Sequence, residues 1–464
     1  VLKNQHTLTF LELTMIRSVA LLIVCVTIAC TPNAVAEAAD AEAVPTDLRA
    51  VLTAARGAPA MVCALAADAI GHRGWYGGNL DAPHTPLPPV RLVGDDENRD
   101  EKVPEEDVRL LLDNVSSADA CVRELSVRIL GRVRNSLATS GLLVKLADAD
   151  ASVRTTAAMG LGLAEAATVT PQLVSALRDP VASVRANSAW ALSRIEDGAS
   201  LRGLIGAMTD SDSTVRFAAT GAVGRLDSAS AIPALLRVLR SDPNASVRRT
   251  AAWALGNLDA EAAVRDLTEA LAKDSEAHVR EMCAWALGEI SEQSGVAGLK
   301  VAAQRDSDAR VRESAIWALG EIGDRDAATV LGEVLARDAD PRVRGTAAWA
   351  LGNVNTRSAP EGLIAAVGDV DDEIRVKAAW ALGEIRDPAA LPALRTAIKR
   401  EKNPKARKAQ LRALIQTGER SEATLTELLD SSDAEVREAA VRGLAGRSAT
   451  NPWPWPQPRP RPFP

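Results

Sequence analysis

The sequence predicts an all-α solenoid of about eleven stacked helical hairpins, and three observations carry that expectation. The first is a repeat: Val or Ile followed by Arg recurs at Arg123, Arg154, Arg185, Arg216, Arg248, Arg280, Arg312, Arg344 and Arg375. It continues at Arg407, after Ala406, and at Arg437. Successive arginines stand 30 to 32 residues apart, one helical hairpin per period. The second is composition: 47% hydrophobic residues with 3% aromatic, one Tyr and three Phe, leaves alanine and leucine to fill the core, which suits close helix packing and not a β-sandwich. The third is that each period divides into two amphipathic segments separated by an Asp-rich turn.

The chain begins with a targeting pattern. Ser18 to Cys30 is an apolar run of 13 residues, shorter than the ~20 a membrane-spanning helix needs. Arg17 precedes it and Ala34-Val35-Ala36 follows, a small-x-small cleavage site, so the expected mature chain starts after Ala36 in a periplasmic or envelope compartment. Met15 is an alternative start. Thr27-Ile28-Ala29-Cys30 loosely resembles a lipobox, which leaves lipidation at Cys30 open as a second route and as the one expected membrane attachment. Cys25 and Cys30 leave with such a signal. Of the remaining Cys63, Cys121 and Cys283, the favoured reading is small buried helix residues, with a Cys63–Cys121 disulfide as the alternative in an oxidising compartment.

Residues 37–76 read as a helical cap, with Asp47 to Ile70 rich in Ala, and 77–106 as a linker lacking the apolar residues to pack. The repeat array is expected over 107–447. In each period the first helix is a segment such as Ala231 to Leu239 or Ala327 to Leu335. The second starts at the Val-Arg step, as in Val247 to Gly256, Val311 to Gly320 and Val343 to Gly352. Residues 448–464 form a tail with proline at every second position from Pro452, which forbids a helix and favours an extended rod. A formal charge of −7 gives no basic field for a nucleic-acid partner.

This pattern resembles the HEAT repeats related to phycobilisome lyases. The resemblance implies a right-handed superhelix whose second helices line a concave surface. It also raises an enzymatic alternative, because phycobilin lyases and deoxyhypusine hydroxylase resemble such arrays, the latter binding iron through paired His-Glu steps. Here His72, His84 and His278 are each followed by a residue other than Glu. We therefore expect no catalytic residue, no metal and no cofactor.

Two repeated constellations stand out. An acidic residue lies six positions before nine consecutive arginines, at Asp148, Asp179, Asp210, Asp242, Asp274, Asp306, Asp338, Asp369 and Glu401. Such an acid can accept backbone N–H bonds at a helix start while pairing with the arginine of its own or the next repeat, a structural ladder of charge-assisted bonds. The ladder is expected to run through Asp242, Arg248, Asp274, Arg280, Asp306, Arg312, Asp338, Arg344, Asp369 and Arg375. The second constellation is Trp190, Trp253, Trp285, Trp317, Trp349 and Trp380, each five residues after an arginine. At about 100° per residue they fall about 140° from the hairpin's core stripe, so they are expected to form an indole ladder interleaved with Glu289, Glu321 and Glu384. Gly256, Gly288, Gly320, Gly352 and Gly383 fall on a flank, where a missing side chain lets helices approach.

Rigid amphipathic indoles suit a binding face; packing between repeats is the other reading. The expected function is a non-enzymatic scaffold that holds a protein or peptide segment, with proline, aromatic or cationic groups, against this groove. Its own tail, carrying Trp453, Trp455, Arg459, Arg461 and Phe463, is one candidate occupant. Repeats 10 and 11, with Arg412 and Arg442 at or near the Trp register, are expected to cap the array.

Overall fold

The computed structural model describes residues 48–59, 63, 103–133, 136–430 and 434–444. The signal region, His72, His84, Trp75 and the tail lie outside them. Every regular element among the described residues is helical, and the helices alternate as the repeat predicts. The chain divides into two compact units, one ending at Ala231 and the other beginning at Ile232.

The first unit holds α1 (Leu48–Ala54) and four hairpins: α2 (Glu105–Asn114) with α3 (Ala120–Arg132), α4 (Ser136–Leu146) with α5 (Ala151–Ala164), α6 (Thr170–Ala176) with α7 (Ala182–Ile195), and α8 (Leu201–Ala207) with α9 (Ser213–Arg225). The second holds seven: α10 (Ile232–Ser241) with α11 (Ala245–Asn257), α12 (Val264–Lys273) with α13 (Ala277–Ile290), α14 (Val296–Arg305) with α15 (Ala309–Ile322), α16 (Ala328–Arg337) with α17 (Pro341–Asn353), α18 (Glu361–Ala365) with α19 (Asp372–Ile385), α20 (Leu391–Arg400) with α21 (Pro404–Gln416), and α22 (Glu422–Leu429) with α23 (Ala434–Leu444). Eleven hairpins stand among the described residues. The first begins at Glu105, inside the stretch expected to be linker.

Each described second helix starts two residues before the apolar residue of its repeat step, and in most of them an Asp or Asn caps it. Asp150, Asp212, Asn244, Asp308, Asp340, Asp371 and Asn403 all accept backbone N–H bonds from the first turn. The core stripe is as expected: Val247, Ala251 and Leu255, with Val311, Ala315 and Leu319, are fully buried. Within each unit the second helices of successive hairpins pack far more closely on one another than the first helices do. Alanine and glycine on their flanks set that spacing.

Several second helices end on a residue in the left-handed region: Glu165, Glu196, Ser291, Gly323 and Arg386. Only Gly323 adopts it without a Cβ penalty. Arg386, exposed at φ 58°, is therefore a place to gain stability. Arg386→Gly is expected to raise the unfolding free energy by about 1 kcal/mol in a urea titration.

The two cysteines expected to be separate buried residues are joined. Cys63 and Cys121 form a disulfide with Cα atoms 5.7 Å apart, which corrects the favoured reading. The physical reason is that α1 packs against α3, bringing the cysteine just beyond α1 to the first turn of α3. Cys283 is free and buried, and burial pushes its thiol well above the ordinary range, so it behaves as a small core residue.

Candidate binding face

The turns between the helices of successive hairpins carry the expected ladder, and its wiring is more specific than the spacing alone implied. In the first unit Arg154 forks onto Asp179 and Arg185 onto Asp210. In the second unit Arg248, Arg280, Arg312, Arg344 and Arg375 fork onto Asp274, Asp306, Asp338, Asp369 and Glu401. Nε and Nη2 donate to the two carboxylate oxygens of the next repeat at 2.6–3.3 Å. Meanwhile Nη1 donates to the backbone carbonyl of the acidic residue in the arginine's own turn. One guanidinium thus joins two successive turns, and each carboxylate also accepts the backbone N–H two residues on.

Burial alone raises the carboxyls of Asp179, Asp210 and Asp274, but the arginine hydrogen bonds and backbone N–H groups outweigh it and hold them below the ordinary value. The Arg375 hydrogen bond does the same for Glu401, and Arg310 holds Asp308 down to about 2. Groups with depressed folded-state pKa values stabilise the fold above their unfolded values and lose that contribution as pH falls through the folded ones. The melting temperature is therefore expected to fall progressively between about pH 4 and pH 2, measured by circular dichroism at constant ionic strength.

The ladder lacks a final rung. Among the described residues Arg407 Nε is buried without an acceptor, and the position six before Arg437 is Ser431, not an acid. Ser431→Asp is expected to add about 1 kcal/mol to the stability of the last hairpin, read by hydrogen exchange in α23.

The indoles do not form an open ladder. Trp190, Trp253, Trp285, Trp349 and Trp380 are only 2–7% exposed, and this corrects their placement as the surface of a groove. The cause is the neighbouring repeat. A Cβ placed on Gly162, Gly256, Gly288, Gly320 or Gly352 would run into Cζ3 of Trp190, Trp285, Trp317, Trp349 or Trp380 respectively, each in the following hairpin. The indole edge lies where the glycine side chain would be, so each Trp–Gly pair is a seam between successive second helices. Arg194 also lies 5.8 Å from the Trp190 ring while pairing with Glu165 at 2.6 Å.

Trp317 differs: it is seated on Gly288 yet half-buried. Beside it on the same helix face, four residues on, Glu321 is exposed; Glu384 is exposed and Glu289 half-buried in their own repeats. Arg412, at the Trp register of repeat 10, is half-buried, and nothing is described of the Arg442 side chain.

A family model for HEAT repeats matches the chain in eight overlapping windows running from 139–224 to 360–445. The chain belongs to the HEAT-repeat family. No curated protein sequence matches it. Among solved structures it is similar to an engineered protein, at 22% identity over 73% of this chain and 98% of that one, with a TM-score of 0.44. It is also similar to the complex of CpcE and CpcF of phycocyanin lyase from Nostoc sp. PCC7120, at 22% identity over 48% and 91% with a TM-score of 0.32. Human deoxyhypusine hydroxylase in complex with glycerol is similar at 20% identity over 60% and 96%, with a TM-score of 0.26. Likenesses this low carry nothing about what these HEAT repeats bind. Among the described residues no group of three or more His, Cys, Asp and Glu side chains is placed to hold a metal ion.

Sequence reasoning missed a second band on the HEAT second helices. Two positions before or one or two after its ladder arginines, the second unit carries Arg249, His278, Glu281, Arg310, Glu313, Arg342, Glu373 and Lys377. These side chains act on one another: Glu281 and Arg310 on Arg249, Glu313 on Arg342, and both Glu373 and Glu313 on Lys377. Burial pulls Lys377 below the ordinary lysine value, opposed by those carboxylates. It reaches over repeat 8, where its Nζ lies 3.3 Å from the place a Cβ on Gly345 would occupy. Burial and Arg249 likewise lower His278. The signal was present in the chain itself, because these positions change character from repeat to repeat while the ladder, alanine and glycine registers hold constant.

Proposed function

We propose that this HEAT array is a non-enzymatic scaffold of the bacterial envelope that binds a protein or peptide segment along the second helices of its second unit. The observation that carries the reading is the half-buried Trp317, set beside exposed Glu321 in a unit whose other four repeat indoles are buried. A single aromatic anchor within a rim of charge that varies along the array suits recognition of a segment carrying aromatic, proline or cationic groups. The chain's own Pro- and Trp-rich tail has that chemistry. The acidic balance argues against nucleic acid, and a lipid at Cys30 is the one membrane attachment proposed. Export is supported by the apolar run with its small-x-small site, and by the Cys63–Cys121 disulfide, since such bonds persist in oxidising compartments.

The test is affinity capture from envelope extract by residues 37–447 beside Trp317→Ala/Glu321→Ala, with both proteins first matched by circular dichroism. A protein retained by the first and lost by the folded variant supports the reading. Equal retention by both would remove Trp317 and Glu321 as the recognition site.

A further inference from the structure

We infer that the Cys63–Cys121 disulfide is a redox latch that holds α1 over the first hairpin, so that the N-terminal end of the array is closed in an oxidising compartment and opens under a dithiol reductant. This goes beyond the binding reading and is independent of any partner.

Three observations converge on one point, the start of α3. The disulfide joins Cys63 to Cys121, the second residue of α3, and both cysteines are buried. The carboxylate of Asp119, the residue capping α3, is divided between two tasks. Oδ1 accepts the N–H groups of Cys121 and Val122, and Oδ2 accepts the N–H of Gly57 at 2.7 Å. Gly57 has φ +70°, a left-handed turn that follows α1. Burial raises the Asp119 carboxyl, yet the three backbone hydrogen bonds and Arg123 bring it below its ordinary value, so the clamp carries a full charge at neutral pH.

What α1 brings of its own is small. It has seven residues, well under the ~12–15 at which an isolated helix becomes even marginal. Over residues 48–59 the buried apolar side chains are Leu52 and Ala55. Two such side chains do not offset the ordering of that segment. The covalent link supplies the missing constraint by keeping the segment at high effective concentration beside α3. On reduction a dithiol gives two electrons and two protons to the S–S bond, leaving Cys63 and Cys121 as thiols and the reductant as its own disulfide. The Gly57–Asp119 bond and the apolar contacts of α1 then act without the covalent link.

The experiment uses the chain from residue 37, oxidised and after dithiothreitol, with hydrogen exchange read by mass spectrometry and thiols counted by alkylation in denaturant. Oxidised protein is expected to show one thiol, Cys283, and reduced protein three. Reduction is expected to speed exchange in residues 48–59 and in the first turn of α3 at least tenfold, to leave α11 to α21 unchanged, and to be reversed by glutathione disulfide. Cys63→Ser should reproduce the reduced pattern without reductant. Three thiols in protein purified without reductant, or unchanged protection of residues 48–59 after full reduction, would overturn the proposal.

Discussion

Replacing Gly320 by valine is expected to unfold the centre of the second unit. A Cβ at that position would lie 2.7 Å from Trp349 Cζ3 and 3.0 Å from both Cα and Cβ of Ala350. The first atom belongs to a ring already 6% exposed and enclosed, and the others belong to the next helix's backbone and its root. Neither can swing aside as the end of a flexible side chain would. Valine then adds two more methyl groups in the same space, so the helices must separate and the seam loses its packing. The expected cost exceeds about 3 kcal/mol in a urea titration. Gly206→Ala is the control: nothing lies within 4 Å of its would-be Cβ. Its position in α8 predicts a gain of up to about 1 kcal/mol. Equal effects at the two glycines would show that helix propensity, not the seam, governs both.

The second large effect is expected at Asp306. Its carboxylate accepts the Arg280 fork at 2.8 and 2.9 Å and the backbone N–H of Asp308 at 2.9 Å. The side chains are largely buried, at 13% and 8% exposure for Arg280 and Asp306. Asp306→Ala leaves a guanidinium without its acceptor and frees a backbone donor at the start of α15, for an expected loss of about 2–4 kcal/mol. Arg280→Ala should cost a similar amount. The double variant should cost clearly less than the sum of the two, because each single change already breaks the same rung. Strict additivity would mean that the rung contributes through each side chain's own packing and not through the pair.

The repeat was legible because its registers report backbone requirements. The acid six before the arginine, the valine, the alanine and the leucine recur in nearly every period, and each occupies the place its chemistry implied. Whether the arginine served its own turn or the next was not readable from spacing, and the guanidinium serves both. The wheel placed the tryptophans correctly relative to their own hairpin, yet a wheel says nothing of the hairpins on either side. The missing clue lay in the neighbouring repeat. Gly162, Gly256, Gly288, Gly320 and Gly352 stand eight residues after an arginine, and Trp follows five after the next. Where Ser193 replaces that glycine, Gly221 replaces the following tryptophan. Small and large exchange across the seam, which is a packing rule and not a binding pattern. The disulfide was the less favoured reading for a similar reason, since Cys63 and Cys121 meet through the docking of α1, a short helix whose position no local pattern specifies.

The most direct test of this account is the solvent access of the repeat indoles. With 5-fluorotryptophan incorporated and each of the six resonances assigned by a single Trp→Phe substitution, 19F NMR with a soluble paramagnetic agent reads each ring separately. Relaxation of Trp317 is expected to be clearly stronger than that of Trp190, Trp253, Trp285, Trp349 and Trp380. Comparable relaxation of all six would contradict it, and would restore the open indole ladder as the binding face.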